Sequence, residues 1–262
     1  MTGWDDVFAP KEESMGLSFK RRATLQGHIN ASRRNLFENN PLYFCERLPV
    51  NRHWRIFPEF RESVAYVDIE TTGLDMQESE ITTIALYDGE SVRCYVNGRN
   101  LDDFIRDIQS FSVLVTYNGK TFDVPFIERF FGTRLDHAHI DLRYVLKSLG
   151  YSGGLKRCEQ ALGIDRHELE GVDGWFAVLL WFDYLNGGNE KALETLLAYN
   201  IEDVVNLEQL CVAAYNMKIQ ETPFADSDLL PLPLRPEVHF IPDRETIYRI
   251  KRKFLDCPTA RN

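Results

Sequence analysis

The chain has 262 residues, of which 44% are hydrophobic and 27% are charged; this composition is ordinary for a soluble globular protein. Its longest apolar run, 175–182, is far shorter than the roughly 20 residues of a membrane-spanning helix, so we expect no membrane partner. The five cysteines are scattered without a CxxC pair, and the amino terminus lacks a signal-peptide pattern. These features favour reduced thiols over disulfides or a zinc site, and they predict a cytoplasmic protein.

The net charge of −10 is unevenly distributed along the chain. Residues 1–60 carry +2, residues 61–217 carry −13 and residues 218–262 carry +1. A cluster of metal-binding acids would contribute to the excess in the middle segment, but most of that excess is interpreted as solvated surface. The balance argues mildly against tight binding of duplex nucleic acid.

The first sixty residues are predicted to form a small helical segment. Helix-forming residues dominate 17–36, and Asn40-Pro41 is a break signal. The stretch 49–58, which holds two prolines, is typical of a linker to the next segment. The predicted helix is rich in basic residues, namely Lys20, Arg21, Arg22, Arg33 and Arg34.

The middle segment, 61–217, alternates strand and helix patterns. Three strands come first, the second and third joined by a hairpin at Asp88-Gly89. Alternating helices and strands follow, and the chain then becomes wholly helical. The predicted strands are 63–70, 80–87, 91–96, 113–117 and 138–142, and the predicted helices are 101–108, 124–131, 143–149, 154–162, 174–186 and a pair within 190–217. This order predicts an α/β fold, in which helices flank a mixed five-stranded sheet with three antiparallel strands followed by parallel ones.

The last segment, 218–262, is predicted to be a Pro-rich and basic tail. Its prolines are spaced along 223–242, and a basic stretch follows at 249–253. We expect this tail to wrap over the surface of the middle segment or to stay partly mobile.

The strongest chemical signal lies at the end of the first strand, in Asp68-Ile69-Glu70. Residues two apart on a strand point to the same face, so the two carboxylates converge while Ile69 packs on the other side. One such pair is expected by chance among forty acids, but this one follows an apolar strand at the carboxyl end, where open sheets place ligands. Oxygen ligands of this kind suit Mg²⁺ or Mn²⁺. The tight turn that follows, 71–74, is expected to expose backbone N–H groups that hold a phosphate or a terminal nucleotide.

Two further motifs carry acids, and each has a structural alternative. Asp123 follows a strand and a glycine loop and stands where a helix opens, so it is either a metal ligand or a helix N-cap. Tyr199 and Asp203 are four residues apart and share one face of a helix, so they either point into a site or form a core aromatic and a solvated acid.

Taken together, the segments 68–74 (DIETTGL), 118–123 (NGKTFD) and 199–203 (YNIED) resemble the three exonuclease motifs of the DEDD superfamily, which has a ribonuclease H-like fold. Tyrosine stands four residues before the last acid, and Ala198 occupies the place of the histidine of the other subclass, so the chain resembles the tyrosine subclass. Over residues 41–217 it is most similar to the YprB-like ribonuclease H-like domain family.

The resemblance implies two bound Mg²⁺ or Mn²⁺ ions and an attacking water positioned by Tyr199. The implied metal ligands are Asp68, Glu70, Asp123 and Asp203. Contacts to the terminal nucleotide are expected from Thr71, Thr72, Gly73, Leu74 and Asn118, and Lys120 either pairs with a phosphate or is a solvated loop lysine.

The implied function is a 3′–5′ exonuclease on DNA or RNA, with single strands or 3′ ends preferred to intact duplex. The alternatives are an endonuclease of ribonuclease H or resolvase type and a catalytically silent nucleic-acid-binding domain. The complete set of four acids favours an active enzyme.

The remaining candidates favour structural roles. Asp141 is predicted to be structural rather than a metal ligand, and His137 and His139 lack a third ligand for zinc. Lys156 and Arg157 are interpreted as solvated lysine and arginine side chains on a helix, with a grip on a phosphate backbone as the alternative.

Overall fold

The computed structural model describes residues 18–166, 169, 171–224 and 229–255, with the side chains of 254 and 255 left out. A single sheet of five strands lies at its centre, in the order β3-β2-β1-β4-β5. The strands are β1 (Val64–Thr71), β2 (Ile81–Tyr87), β3 (Val92–Val96), β4 (Val113–Thr116) and β5 (Ala138–Asp141).

The first three strands pair antiparallel, whereas β4 pairs parallel to β1, and β5 pairs parallel to β4. The predicted mixed five-stranded α/β fold is therefore confirmed. Strand β1 is central, and the register between β1 and β2 shifts between Glu70 and Thr71. Such irregularities bend a strand and re-aim its side chains, and here the bend falls at the first candidate motif.

Ten α-helices are found among the described residues, and short 3-10 turns lie at Val50–Ile56 and Arg61–Ser63. The helices are α1 (Phe19–Phe37), α2 (Leu42–Cys45), α3 (Phe57–Phe60), α4 (Asp103–Ile108), α5 (Asp123–Phe131), α6 (Leu142–Lys147), α7 (Leu155–Ala161), α8 (Gly174–Gly187), α9 (Glu190–Gln220) and α10 (Arg244–Leu255). None of the helices described is long and apolar enough to cross a membrane.

The alternation of β1 divides the core between the two faces of the sheet. Val64 and Tyr66 pack with residues of α9 on one face, while Ala65, Val67 and Ile69 pack with residues of α4 and α5 on the other. Because side chains alternate along a strand, Asp68 and Glu70 share the face of Val64 and Tyr66. They therefore lie on the side of the sheet covered by α9.

The structure corrects three of the predicted elements. The pair of helices expected within 190–217 is one continuous helix, α9, of 31 residues. The predicted linker 49–58 is helical, and Trp54 and Phe57 from it are fully buried against the α9 face of the sheet. The tail contains a helix that was not predicted, α10, whose Ile247 and Ile250 are buried among residues of α8 and α9.

Candidate active site

Three carboxylates from β1 and α9 converge at the carboxyl end of β1. Among the described residues, Asp68, Glu70 and Asp203 form a group in which one possible ligand atom from each lies within 4.8 Å of the others. Glu70 and Asp203 are 8% and 5% exposed. A buried set of like charges at this spacing is the arrangement that a divalent cation stabilises, since carboxylate oxygens are its preferred ligands.

Asp123 lies next to this group, at the start of α5. It is 4% exposed, and its Oδ1 accepts a hydrogen bond of 3.3 Å from the backbone N–H of Ile69, between the two strand acids. Helix α5 begins at Asp123 itself without a side-chain cap, so the N-cap interpretation is wrong. Asp123 is not within the 4.8 Å group, and its role as a metal ligand stays a prediction.

Helix α9 brings Tyr199 and Asn200 to the same place as Asp203. Tyr199 is 4% exposed, and the alternative of a solvated acid at Asp203 is wrong because that carboxylate is buried. The Nδ2 of Asn200 donates to Asp68 Oδ2 at 2.7 Å, and the Oδ1 of Asn200 accepts from the Thr83 hydroxyl at 3.0 Å. Asn200 thus fixes the orientation of the Asp68 carboxylate, a role that no pattern in the sequence indicates.

Burial and mutual repulsion raise the pKa values of these carboxyl groups. Burial, followed by the charges of Asp203 and Asp123, raises the pKa of Asp68 well above its usual value. Burial and the charge of Asp203 do the same to the pKa of Glu70. Burial also raises the pKa of Asp123 to about 7 and the pKa of Asp203 to about 6, the latter against the lowering effect of Arg166. The site without a cation therefore disfavours full ionisation.

Burial and the acids also raise the pKa of Tyr199 above its ordinary value, Asp203 having the largest effect among the acids. Its hydroxyl is therefore protonated at neutral pH. A protonated hydroxyl can donate a hydrogen bond and orient a water, but it cannot serve as a general base.

Arg166 is a buried cation beside the acids that sequence reasoning missed. Its guanidinium contacts Asp203 Oδ1 and donates to both oxygens of Glu159, at 2.5 and 2.7 Å. Glu159 is fully buried and also accepts from Asn206 of α9 at 3.0 Å. Arg166 stands in a loop without regular structure, in which neither spacing nor pattern indicates a contact with α9.

Lys156 also faces the site, so its interpretation as a solvated lysine is wrong. Its Nζ lies 4.6 Å from the centroid of the Tyr199 ring and donates to the Val172 carbonyl. Burial lowers its pKa, while the charges of Asp203 and Glu70 act in the opposite direction. Both cations lie near Tyr199, since the Arg166 guanidinium is 5.9 Å from the ring centroid.

The loop between β4 and α5 is held by Asp141 from β5. The Asp141 carboxylate accepts from the backbone N–H groups of Asn118, Lys120 and Arg143, at 2.8, 3.0 and 3.0 Å. These bonds support the predicted structural role of Asp141. Asn118 has a left-handed backbone with φ of 68°, and its Oδ1 accepts from Thr121 at 2.8 Å and from Arg143.

Lys120 is half-buried in this loop, and burial lowers its pKa. Its side chain is therefore not a freely solvated one, although a contact with a phosphate stays a prediction. His139 and His137 are engaged in structural bonds, with the Thr116 hydroxyl at 2.8 Å and the Ile108 carbonyl at 3.1 Å.

The turn after β1 is more closed than the sequence indicated. The N–H of Thr72 donates to the Glu80 carbonyl at 2.9 Å, and its hydroxyl accepts from the Glu80 N–H. The Thr71 hydroxyl donates to the Gly73 carbonyl at 2.7 Å. The expectation that this turn presents free N–H groups is therefore wrong at Thr72, whereas Leu74 is 85% exposed at its tip.

In the comparison with protein families, the model of the RNase H superfamily matches residues 65–215. No curated protein matches the chain. Solved structures that match include the family B DNA polymerase of the archaeon Pyrobaculum calidifontis, with a TM-score of 0.45 and 18% identity over 60% of this chain and 24% of that one.

Brucella melitensis NrnC also matches, in structures with bound pGG and with bound Mg²⁺. The TM-scores are 0.33 and 0.32, with 16% identity over 67% of this chain and 93% of NrnC. This chain spans only about a quarter of the length of the polymerase.

Proposed function

This chain belongs to the RNase H superfamily, and from that membership together with its acidic cluster we propose that it is a metal-dependent nuclease. Its reaction is the hydrolysis of phosphodiester bonds in DNA or RNA, in the 3′–5′ direction from single-stranded or 3′ ends. Within the superfamily we assign it to the tyrosine subclass of the DEDD exonucleases, near the YprB-like domains, because Tyr199 precedes Asp203 by four residues. We assign catalysis to residues 61–217 and keep the cytoplasm as its expected location.

The observation that carries this proposal is the convergence of buried acids from distant parts of the chain. Asp68 and Glu70 come from β1, Asp123 begins α5 and Asp203 lies on α9. Burying like charges costs several kcal/mol per ion unless a cation compensates them. Arg166 and Lys156 supply part of that compensation, and the raised pKa values of the acids show that it is incomplete.

The donor set fits Mg²⁺ or Mn²⁺. All its atoms are carboxylate oxygens, the ligand type that these hard cations prefer over nitrogen or sulphur. Four carboxylates could hold two ions, Asp123 joining the three that already lie within 4.8 Å. When bound, such ions activate a water for attack and stabilise the charge on the leaving oxygen.

The side chains around the acids have separate roles in this proposal. Asn200 holds the Asp68 carboxylate in place. The protonated Tyr199 hydroxyl donates a hydrogen bond to the attacking water and orients it. Lys156, which lies over the Tyr199 ring, is placed to approach a phosphate oxygen of the substrate. The loop with Asn118 and Lys120 and the turn from Thr71 to Leu74 are the proposed contacts to the terminal nucleotide.

The test is a cleavage assay on single-stranded DNA and RNA labelled at the 5′ end, with Mg²⁺, Mn²⁺ or EDTA. We expect a ladder shortening from the 3′ end with either metal and no products with EDTA. Asp68→Asn, which keeps the shape and the Asn200 contact, should lower cleavage at least 1000-fold, on the order expected for loss of metal-assisted catalysis.

Asp136→Asn is the matched control, because the side chain of this aspartate is 80% exposed, and it should cleave normally. Internal cuts would indicate an endonuclease of ribonuclease H type instead of an exonuclease. Binding without cleavage under every condition would indicate a silent nucleic-acid-binding domain, and full activity of the Asp68→Asn variant would contradict the site itself.

A further inference from the structure

Helix α1 is the basic element of the amino-terminal segment. No acid occurs from Ser18 to Phe37, and Glu38 is the first acid after them. Within the described chain, α1 has no extensive contact with any other helix or strand. Lys20, Arg21 and Arg34 are exposed, and none of the three has an ion pair with a described residue.

The two sides of α1 differ in character. Ile29 is 4% exposed and marks the inner side. At 100° per residue, Lys20 and Arg34 lie on the side opposite Ile29, Arg21 lies about 80° to one side of Ile29, and Phe19 and Phe37 lie about 80° to the other side. Phe19 and Phe37 are 18 residues apart, or five full turns, so they share one line along the helix about 27 Å apart. They are 82% and 92% exposed.

Helix α10 provides a contrast, because it also contains five basic residues but some of them contact the rest of the fold. Its Arg249 is paired with Asp183 of α8 at 2.8 Å, and Lys251 lies 5.8 Å from the Phe176 ring centroid. Its apolar residues Ile247 and Ile250 are buried. Basic residues of α10 therefore contact the acidic middle segment, whereas Lys20, Arg21 and Arg34 of α1 remain available to a partner.

We propose that the outer face of α1, defined by Lys20 and Arg34 and bounded by Arg21 on one flank and by Phe19 and Phe37 on the other, binds a single nucleic-acid strand and delivers it to the acidic site. This inference rests on the proposed nuclease function. A polyanion must approach a chain of net charge −10, so attraction has to come from a local basic surface. Basic side chains that follow a backbone, with exposed aromatics on which bases stack, are the features that bind single strands without sequence preference.

The position of α1 along the chain supports delivery. The helix ends at Phe37, and α2 begins five residues later and ends at Cys45. Cys45 lies close enough to Lys120 that the lysine charge acts on its thiol. The amino-terminal segment therefore joins the body beside the loop that leads to Asp123.

The experiment measures binding separately from cleavage. The full chain carrying Asp68→Asn is titrated into 5′-fluorescein oligo(dT) and oligo(U), and fluorescence anisotropy is read from 50 to 300 mM KCl. The double variant Lys20→Glu with Arg21→Glu should bind roughly tenfold more weakly at 100 mM KCl. Its salt slope should be flatter by about 1.4, because a single strand gives about 0.7 per neutralised phosphate.

Glutamates at these two positions keep the helix intact, because the first turn of a helix favours negative charge; circular dichroism verifies this. The control is Arg134→Glu with Lys147→Glu, which changes the net charge equally at exposed positions of the middle segment. This control should bind as tightly as the parent.

Equal weakening in both double variants would overturn the inference. The inference would also be overturned if α1 bound anionic vesicles rather than oligonucleotides. The same holds if the protein self-associated in a concentration-dependent way that the Lys20 and Arg21 changes abolished. With Asp68 restored, an unchanged cleavage rate and KM in the Lys20→Glu, Arg21→Glu variant would contradict this inference without contradicting the proposed nuclease function. If the wild-type protein neither bound nor cleaved the oligonucleotides, both proposals would be contradicted.

Discussion

At the scale of single residues, the buried Arg166 has the largest expected effect on stability outside the acids. Its side chain is 10% exposed, and it is paired with Glu159, which is 0% exposed, and with Asp203. Arg166→Met leaves both carboxylates without their cation. Breaking a buried pair in this way costs roughly 3–5 kcal/mol of unfolding free energy, and we expect a loss of that order in urea titrations of the metal-free protein.

A double-mutant cycle provides the control for this prediction. Glu159→Gln removes the second buried charge, so the Arg166→Met, Glu159→Gln protein should lose less stability than the sum of the two single changes. A loss below about 1 kcal/mol for Arg166→Met, the size seen for exposed pairs, would contradict the assignment of Arg166 to a buried network.

Residues of the site differ in how far the sequence could have predicted them. The convergence of Asp68 and Glu70 could be predicted, because the period of a strand places both side chains on one face whatever the rest of the chain does. Asn200, Glu159 and Arg166 were not, because their roles depend on contacts between segments 40 or more residues apart, or on a loop without a repeating pattern. Whether the four acids bind metal stays a prediction.

At the scale of elements, the loop from β4 to α5 requires a glycine at position 119. A Cβ there would lie 2.3 Å from the Thr116 Oγ1 and 2.6 Å from the Thr116 Cβ. Both atoms are held in place, since the Thr116 hydroxyl also bonds His139 at 2.8 Å. Gly119→Ala should therefore destabilise the protein by about 1–3 kcal/mol, the usual cost of overpacking.

The same change should weaken the function of the loop. The Gly119 carbonyl accepts a hydrogen bond of 2.9 Å from the N–H of Val124, the residue after Asp123. A substitution that moves the loop should therefore also move the Asp123 carboxylate. We expect lower thermal stabilisation by Mg²⁺ as well as lower cleavage. Gly27→Ala in α1 is the control, because nothing lies within 4 Å of the added Cβ and alanine favours a helix. Equal stability of the two variants would refute the steric argument.

Element prediction succeeded where local patterns dominate and failed where tertiary contacts decide. All five strands and the hairpin at Asp88 were predicted within a residue or two. The linker prediction for 49–58 failed because prolines also start helices, and here Pro58 stands in the first turn of α3. Helix α10 was missed because basic residues dominate it, and only the buried Ile247 and Ile250 show its inner face.

At the scale of the whole molecule, the segments that flank the acidic middle are joined to it to different degrees. The chain from 50 to 60 is part of the core, and the tail is tied down by Arg235, which pairs with Glu202 of α9, and by Asn216, which bonds Leu230. The division into 1–60, 61–217 and 218–262 stays a prediction. In it, we regard the middle unit as catalytic and α1 as the part most independent of it.

The acidic cluster also predicts how the stability of the whole protein depends on pH and metal. The pKa of Asp123 is raised from 3.8 to about 7 on folding, and the pKa of Asp203 is raised from 3.8 to about 6. The folded state therefore holds protons that the unfolded chain has released. The stabilising contribution is complete below about pH 4 and is lost as the pH rises to about 7.

Divalent cations compete with these protons, so their effect should have the opposite dependence on pH. We expect 5 mM Mg²⁺ to raise the melting temperature slightly at pH 5 and by several degrees at pH 8, because only the ionised carboxylates bind the metal. Asp123→Asn, whose Oδ1 can still accept from the Ile69 N–H, should be more stable than wild type at pH 8 without metal, and it should lose much of the Mg²⁺ effect.

Differential scanning calorimetry at pH 5, 6.5 and 8 with EDTA or Mg²⁺ measures the stability and the Mg²⁺ effect, with Asp136→Asn as the exposed control. The prediction would be contradicted if the metal-free protein became more stable from pH 5 to pH 8. It would also be contradicted if Mg²⁺ raised the melting temperatures of Asp123→Asn and Asp136→Asn equally. Either result would mean that the acids do not form one cation site.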